Sequence, residues 1–175
     1  FTSETTIRIL DLGGTQDFWD NLGVNIANRA EITLVNRNQE KVTKPNFNAL
    51  VGDVTNLPQF NDNQFDLVFS NSVIEHVGGR ESQIMMANEI RRIGKRHFIQ
   101  TPNLFFPVEP HFLFPLFTFL PEFGKILVAR YWSLSHYPVA KNATEAKVLI
   151  NRVRLLRKKE VELLFPDSEV VVETM

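Results

Sequence analysis

The chain has 175 residues, of which 43% are apolar and 22% charged, with 19 Lys+Arg set against 20 Asp+Glu and no cysteine. That length can bury a substantial core, and the apolar share suits a compact fold. The balanced charge argues against a nucleic-acid binder that works by phosphate neutralisation, and the missing cysteines exclude disulfides and Cys-ligated zinc or iron–sulfur sites. In chain order, Ile7-Arg8-Ile9-Leu10 reads as a first strand ending at Asp11 and the turn-forming Gly13-Gly14. Apolar residues at Phe18, Trp19, Leu22 and Ile26 predict a helix over 18–29. Glu31–Val35, Ala49–Val51 and Phe65–Ser70 read as the second, third and fourth strands. A helix is predicted over 81–93, then a fifth strand His97–Gln100 stopped by Thr101-Pro102. Polar helices follow near 142–155 and 158–165, and the run 169–173, with three valines, predicts a last strand.

Strands alternating with helices indicate βαβ units, hence an α/β fold with a mainly parallel, Rossmann-like sheet flanked by helices on both faces. With no internal repeat and no low-complexity linker, residues 1–175 read as one domain, taken as the ordered portion of a longer protein. Regular alternation breaks between Leu104 and Phe123, which hold seven of the 15 Phe together with Pro107, Pro110, Pro115 and Pro121. Proline at that density forbids a continuous helix or a central strand. Residues 104–137 are therefore expected to form an insertion: a lid over an apolar site, extra core, or a patch for oligomerisation or a membrane surface. No basic residue lies between Leu104 and Gly124, which argues against the membrane surface. No apolar run is long enough to span a bilayer. The basic run Arg152–Lys159 reads as a solvated helical face.

In open α/β sheets, ligands bind beyond the carboxyl ends of the strands, where the strand order reverses. The first strand ends in Asp11-Leu12-Gly13-Gly14-Thr15-Gln16, where two glycines let the backbone turn and approach a ligand closely. The following helix N-terminus could offer N–H groups to an anion. Neither Gly-x-Gly-x-x-Gly nor Gly-Lys-Ser/Thr occurs, which argues against a nicotinamide oxidoreductase and a P-loop nucleotidase. Taken alone, this segment could equally be a turn with no ligand. Asn36-Arg37, Gly52-Asp53-Val54 and Asn71-Ser72 add short polar groups at the other strand ends, as a nucleoside-like ligand across the sheet edge requires.

Three blocks together resemble the class I S-adenosylmethionine-dependent methyltransferases of the type 11 group. They are Ile9-Leu10-Asp11-Leu12-Gly13-Gly14, then Gly52-Asp53-Val54-x-x-Leu57-Pro58, then Phe65-Asp66-Leu67-Val68-x-Ser70-Asn71-Ser72-Val73-Ile74-Glu75-His76-Val77. The resemblance runs from about Ile7 to Asn103. It implies that Asp11, Gly13 and Gly14 hold the methionine moiety of S-adenosylmethionine, that Asp53 takes the adenine amino group with Val54 against the ring, and that Asn71 and Ser72 lie near the sulfonium. Thr15 and Asp17 stand at later glycine positions of the family motif. Asn36, with Arg37 beside it, replaces the acidic residue that grips the ribose, and losing a charge-assisted bond there should weaken binding. The resemblance also implies a final antiparallel hairpin, of which only the first strand is present in this chain.

Methyl transfer needs an acceptor held in line and a base only when the acceptor must lose a proton. His76 and His111, the latter in the Glu109-Pro110-His111 turn, are the candidates. The bland alternatives are a backbone-bonded helix-start residue for His76 and a structural turn for His111. Glu75-His76 lacks a carboxylate three residues earlier, Ser72 standing there, so no metal is expected. The resemblance thus implies a cytoplasmic transferase that methylates a small, partly apolar molecule and releases S-adenosylhomocysteine. No nucleic-acid partner is expected, and an oligomer could form through the Phe-rich region or an open sheet edge. The rival is an inactive methyltransferase-like binding or scaffold domain.

Overall fold

The computed structural model describes residues 6–22 and 29–173. The chain divides into two compact units, one drawn from residues up to Val77 with Glu81–Gln100, the other from Gly78–Arg80 and Thr101 onward. The predicted helix over 18–29 lies partly outside the described residues.

The first unit is an open parallel sheet of five strands among the described residues: β1 (Ile7–Leu12), β2 (Ala30–Asn36), β3 (Phe47–Val51), β4 (Leu67–Asn71) and β5 (His97–Gln100). Their order is β3-β2-β1-β4-β5. All four pairings are parallel, with Ile9 opposite Ile32 on one side and Leu67 on the other. The chain therefore winds outward from β1 to β3, returns across the sheet, and continues on the other side through β4. The reversal falls between β1 and β4, which makes this an α/β Rossmann-like fold.

β1 sits at the centre, and Ile9 through Leu12 are all buried. Because side chains alternate, continuous burial means both sheet faces are covered. One face packs Ile9, Ile32, Leu34 and Phe47 with Trp19 of helix α1 (Gln16–Asn21). Thr15 caps α1, its Oγ1 accepting from the Phe18 N–H at 3.3 Å. Helix α2 (Arg80–Ile93) buries Met86, Ala87, Ile90 and Ile93 at a three-and-four spacing.

In the second unit the proline-rich stretch forms a short hairpin, β6 (Val108–Glu109) against β7 (Phe114–Pro115), then a single 3-10 turn. Helix α3 (Glu122–Tyr131) follows with Pro121 at its N-cap, a helix the Phe/Pro reading did not anticipate. Proline forbids a helix only downstream of an established turn; at the start its fixed φ of −62° is compatible. Phe112, Phe117, Val128, Ala129, Ala146 and Leu149 form this unit's core. Helix α4 (Ala143–Ile150) begins where Asn142 Oδ1 accepts from the Glu145 N–H at 2.9 Å. It ends five residues before the predicted limit, because the chain extends to pair Leu156 with Asn103. Helix α5 (Lys158–Leu164) agrees with its predicted span to one residue.

The strand predicted over 169–173 does not form. Residues 169–173 have no regular structure, and Val171 is 75% exposed. Valine favours strands through pairing and packing against neighbours, and this run has no ladder partner among the described residues.

Candidate cofactor site at the strand ends

Asp11, at the carboxyl end of the central strand, is fully buried. Its Oδ2 accepts a hydrogen bond from Trp19 Nε1–H at 2.7 Å, while Oδ1 has no hydrogen-bond partner among the described residues. Burial pushes the carboxyl up to about 7, against the opposing bonds from Trp19 and the Gly14 backbone. Trp19 had read only as part of an apolar helical stripe, so its indole N–H was not anticipated as the partner of Asp11.

The two glycines are required for different reasons. Gly13 has φ +87°, and a Cβ there would stand 2.4 Å from Val73 Cγ2. At Gly14 a Cβ would fall 1.8 Å from Asp11 Oδ2. The turn therefore closes directly over the buried carboxylate. Asn36, from the end of β2, donates through Nδ2 to the Gly14 carbonyl at 2.8 Å and ties the turn to the neighbouring strand. The Gly13 N–H donates to the Val35 carbonyl at 2.9 Å and reinforces the same tie.

Asp53 follows β3. Its Oδ1 accepts from both the Thr55 N–H at 2.9 Å and Thr55 Oγ1 at 2.8 Å. These bonds, with a smaller contribution from Arg37, hold its carboxyl below the usual range. Val54 beside it is buried. After β4, Ser72 adopts φ +56°, and its Oγ donates to Asn71 Oδ1 at 3.1 Å. Ser70 Oγ donates to the Leu12 carbonyl at 3.1 Å, joining β4 to β1 at the reversal. Asp11, Gly13, Gly14, Thr15, Asn36, Arg37, Asp53, Val54, Asn71 and Ser72 thus all lie at carboxyl ends of parallel strands or in the turns that follow.

His76 closes a single 3-10 turn, Ile74–His76, with its side chain partly exposed and its backbone N–H bonded to the Val73 carbonyl at 2.8 Å. Gln83 Nε2 donates to the Ile74 carbonyl at 3.0 Å and pins that turn to α2. Gln16, also buried, accepts from the Thr43 N–H at 2.8 Å and secures the segment before β3. Nothing in the pattern around Gln16 signalled that role.

His111 belongs to the second unit. Its Nδ1 lies 2.6 Å from Glu109 Oε1, and Glu109 Oε2 accepts from the backbone N–H of His111 and Phe112 at 2.9 and 2.6 Å. Glu109 is almost wholly buried, and the His111 ring stacks on Tyr137 at 6.2 Å. The turn is therefore a built carboxylate–imidazole pair.

A doubly wound parallel sheet with a glycine turn closed over a buried acid at its reversal point defines the Rossmann-like class of nucleoside-cofactor folds. Comparison with known proteins narrows the class. Residues 14–97 match the family model Methyltransf_11, a methyltransferase domain. One structure of similar fold is the complex between the Haloferax volcanii Trm112 methyltransferase activator and a protein assigned as a methyltransferase; its TM-score is 0.53 at 14% identity, over 95% of this chain and 62% of that one. Another is a protein from Anabaena variabilis assigned as a methyltransferase of an antibiotic biosynthesis pathway, with TM-score 0.50 and 21% identity over 71% of this chain and 53% of that one. An uncharacterised protein of Mycobacterium tuberculosis is 34% identical over 56 residues. Those residues are 32% of this chain and 19% of that relative, so the chain spans a small part of its length. Over residues 14–97 this chain is thus similar to the methyltransferase domains of that family model, and it shares the fold of these two structures.

Proposed function

We propose that the protein binds S-adenosylmethionine at these strand ends and transfers its methyl group to a small, partly apolar acceptor. One observation carries the reading. A fully buried carboxylate at the reversal point keeps one oxygen without a donor among the described residues, beneath a two-glycine turn. Such an acceptor fits the ammonium of an amino-acid moiety, because burying a carboxylate oxygen without a partner is otherwise costly.

In this reading Asp11, Gly13, Gly14 and Thr15 hold the methionine end. Asn36 and Arg37 face the ribose, Asp53 and Val54 take the adenine, and Asn71 and Ser72 lie near the reacting methyl. When bound, the cofactor supplies a methyl group on a positively charged sulfur, already activated for transfer. The protein's own part is to position the acceptor and exclude water. His76 or His111 would take a proton from an acceptor that must lose one. Glu109 fixes the His111 ring through Nδ1, which sets its tautomer. The reading includes a cytoplasmic location, consistent with a chain that has no cysteine. The acceptor atom in this reading is oxygen, nitrogen or carbon.

A second reading, a methyltransferase-like binding or scaffold domain, is favoured by one feature. At the ribose-gripping position Asn36 is neutral and is already engaged with the Gly14 carbonyl. Isothermal titration with S-adenosylmethionine and S-adenosylhomocysteine separates the two readings. Micromolar binding is expected, weakened at least about tenfold in Asp53→Ala. Asp53→Asn keeps an oxygen for the Thr55 turn and controls for its loss. Absence of binding by the folded protein would favour the scaffold reading.

A further inference from the structure

Helix α3 is apolar on two sides. Val128 and Ala129 face the core of the second unit. On the outer side Phe123, Leu127 and Tyr131, spaced four residues apart and so on one face, are 69%, 51% and 70% exposed. Phe119, 55% exposed, precedes them and stacks on Phe105 with centroids 6.0 Å apart. Single exposed apolar residues are ordinary; a row of them on one helix marks an interaction surface.

The charges beside this face are mainly cationic, its one carboxylate being already paired. Of three cation–ring contacts among the described residues, two involve exposed aromatic rings of this region. Arg130 lies over Tyr131 at 5.2 Å and Arg157 over Phe105 at 5.9 Å, whereas Lys125 reaches over the buried Phe117 on the core side of α3. The one acidic residue of α3, Glu122, pairs with Lys147 at 2.7 Å. The Phe-rich run has no cation of its own, but the fold brings cations from beyond the run to its aromatic rings. A second copy of the chain would set these cations against their own kind, with no spare carboxylate on α3 to meet them. Aromatic rings beside cations suit the headgroup level of a lipid surface instead.

We propose that this face of α3 docks on an anionic phospholipid bilayer, with Phe123, Leu127 and Tyr131 in the headgroup–acyl boundary and Arg130 and Arg157 against lipid phosphates. The helix lies on the membrane and does not cross it. It has ten residues, and no helix among the described residues is long and apolar enough to span a bilayer.

The test is flotation of the full chain, without cofactor, on extruded vesicles of phosphatidylcholine alone and with about 30 mol% phosphatidylglycerol. The expected result is binding to the mixed vesicles that is at least about tenfold weaker on phosphatidylcholine alone and falls with added salt. The double variant Phe123→Ser, Leu127→Ser should lower binding by about tenfold or more with its thermal melt unchanged, since both side chains are exposed. Arg157→Glu should weaken binding to the mixed vesicles selectively. Failure of the wild type to bind mixed vesicles would overturn the proposal, as would equal binding by the double variant. Sedimentation showing a dimer that this variant abolishes would overturn it in favour of a second copy as the occupant. Because no cofactor is present, the result is independent of the methyltransferase reading.

Discussion

Asp11 concentrates the electrostatics of the first unit in one side chain. Its folded carboxyl titrates near 7 against an ordinary value near 3.8, because burial disfavours the charged form. The folded state therefore binds the proton more tightly than the unfolded state does. That contribution to stability is complete below the ordinary value and is lost as pH rises through about 7. Asp11→Asn keeps an oxygen for the Trp19 N–H and removes the titration. The variant should gain on the wild type as pH rises from 4 to 8, by on the order of 4 kcal/mol over the full window, read from denaturant melts at each pH. Gly14→Ala places a methyl where Asp11 Oδ2 lies, so a loss of about 2–4 kcal/mol is expected by the same measurement. Glu109→Gln tests a buried carboxylate of the second unit. It weakens three bonds from the His111–Phe112 turn and should cost about 1–3 kcal/mol.

Among the elements, those with strong local signals match their predicted spans. β5 coincides with the expected residues, and α2 starts one residue early. Capping sets two helix starts: Asn142 begins α4 within one residue of its predicted start, and Thr15 begins α1 two residues before the predicted one, each where a short polar side chain can accept from the first turn. The elements that differ depend on distant partners. The loop after β3 is held by Arg92 of α2, which donates to the Phe60 carbonyl at 2.7 Å, the Leu57 carbonyl at 3.0 Å and Glu89 at 2.8 Å. Arg92→Ala should cost about 2 kcal/mol, because two carbonyls and a carboxylate lose their donor together. Arg92 also holds the Glu89 carboxyl below its usual range. This contribution is present above the ordinary carboxylate value and lost as pH falls through the lowered one. The difference between wild type and Arg92→Ala should accordingly shrink in acid.

Across the whole molecule, the reversal in strand order gathers the candidate residues. Asp11, Asn36, Asp53 and Asn71 are separated along the chain by 60 residues, yet all stand at one end of a parallel sheet. Central strands in such a sheet are buried on both faces and paired on both sides, whereas edges are paired on one. In hydrogen exchange, the amides of β1 and β4 should be slowest and those of residues 169–173 fastest. Protection at 169–173 equal to that of β1 would show a strand that this fold lacks. What the sequence determined alone was the βαβ alternation, the glycine turn and the polar strand ends, because hydrophobic period, turn chemistry and short motifs are local properties. The tertiary structure decided the rest. It paired Trp19 with Asp11, engaged Asn36 with the glycine turn, joined Glu109 to the His111–Phe112 turn in one buried cluster, started a helix after Pro121, left the valine run unpaired and drew Arg130 and Arg157 to the aromatic face. Each of these depends on which groups meet in space, and burial, pairing and charge proximity have no counterpart in the order of residues along a chain.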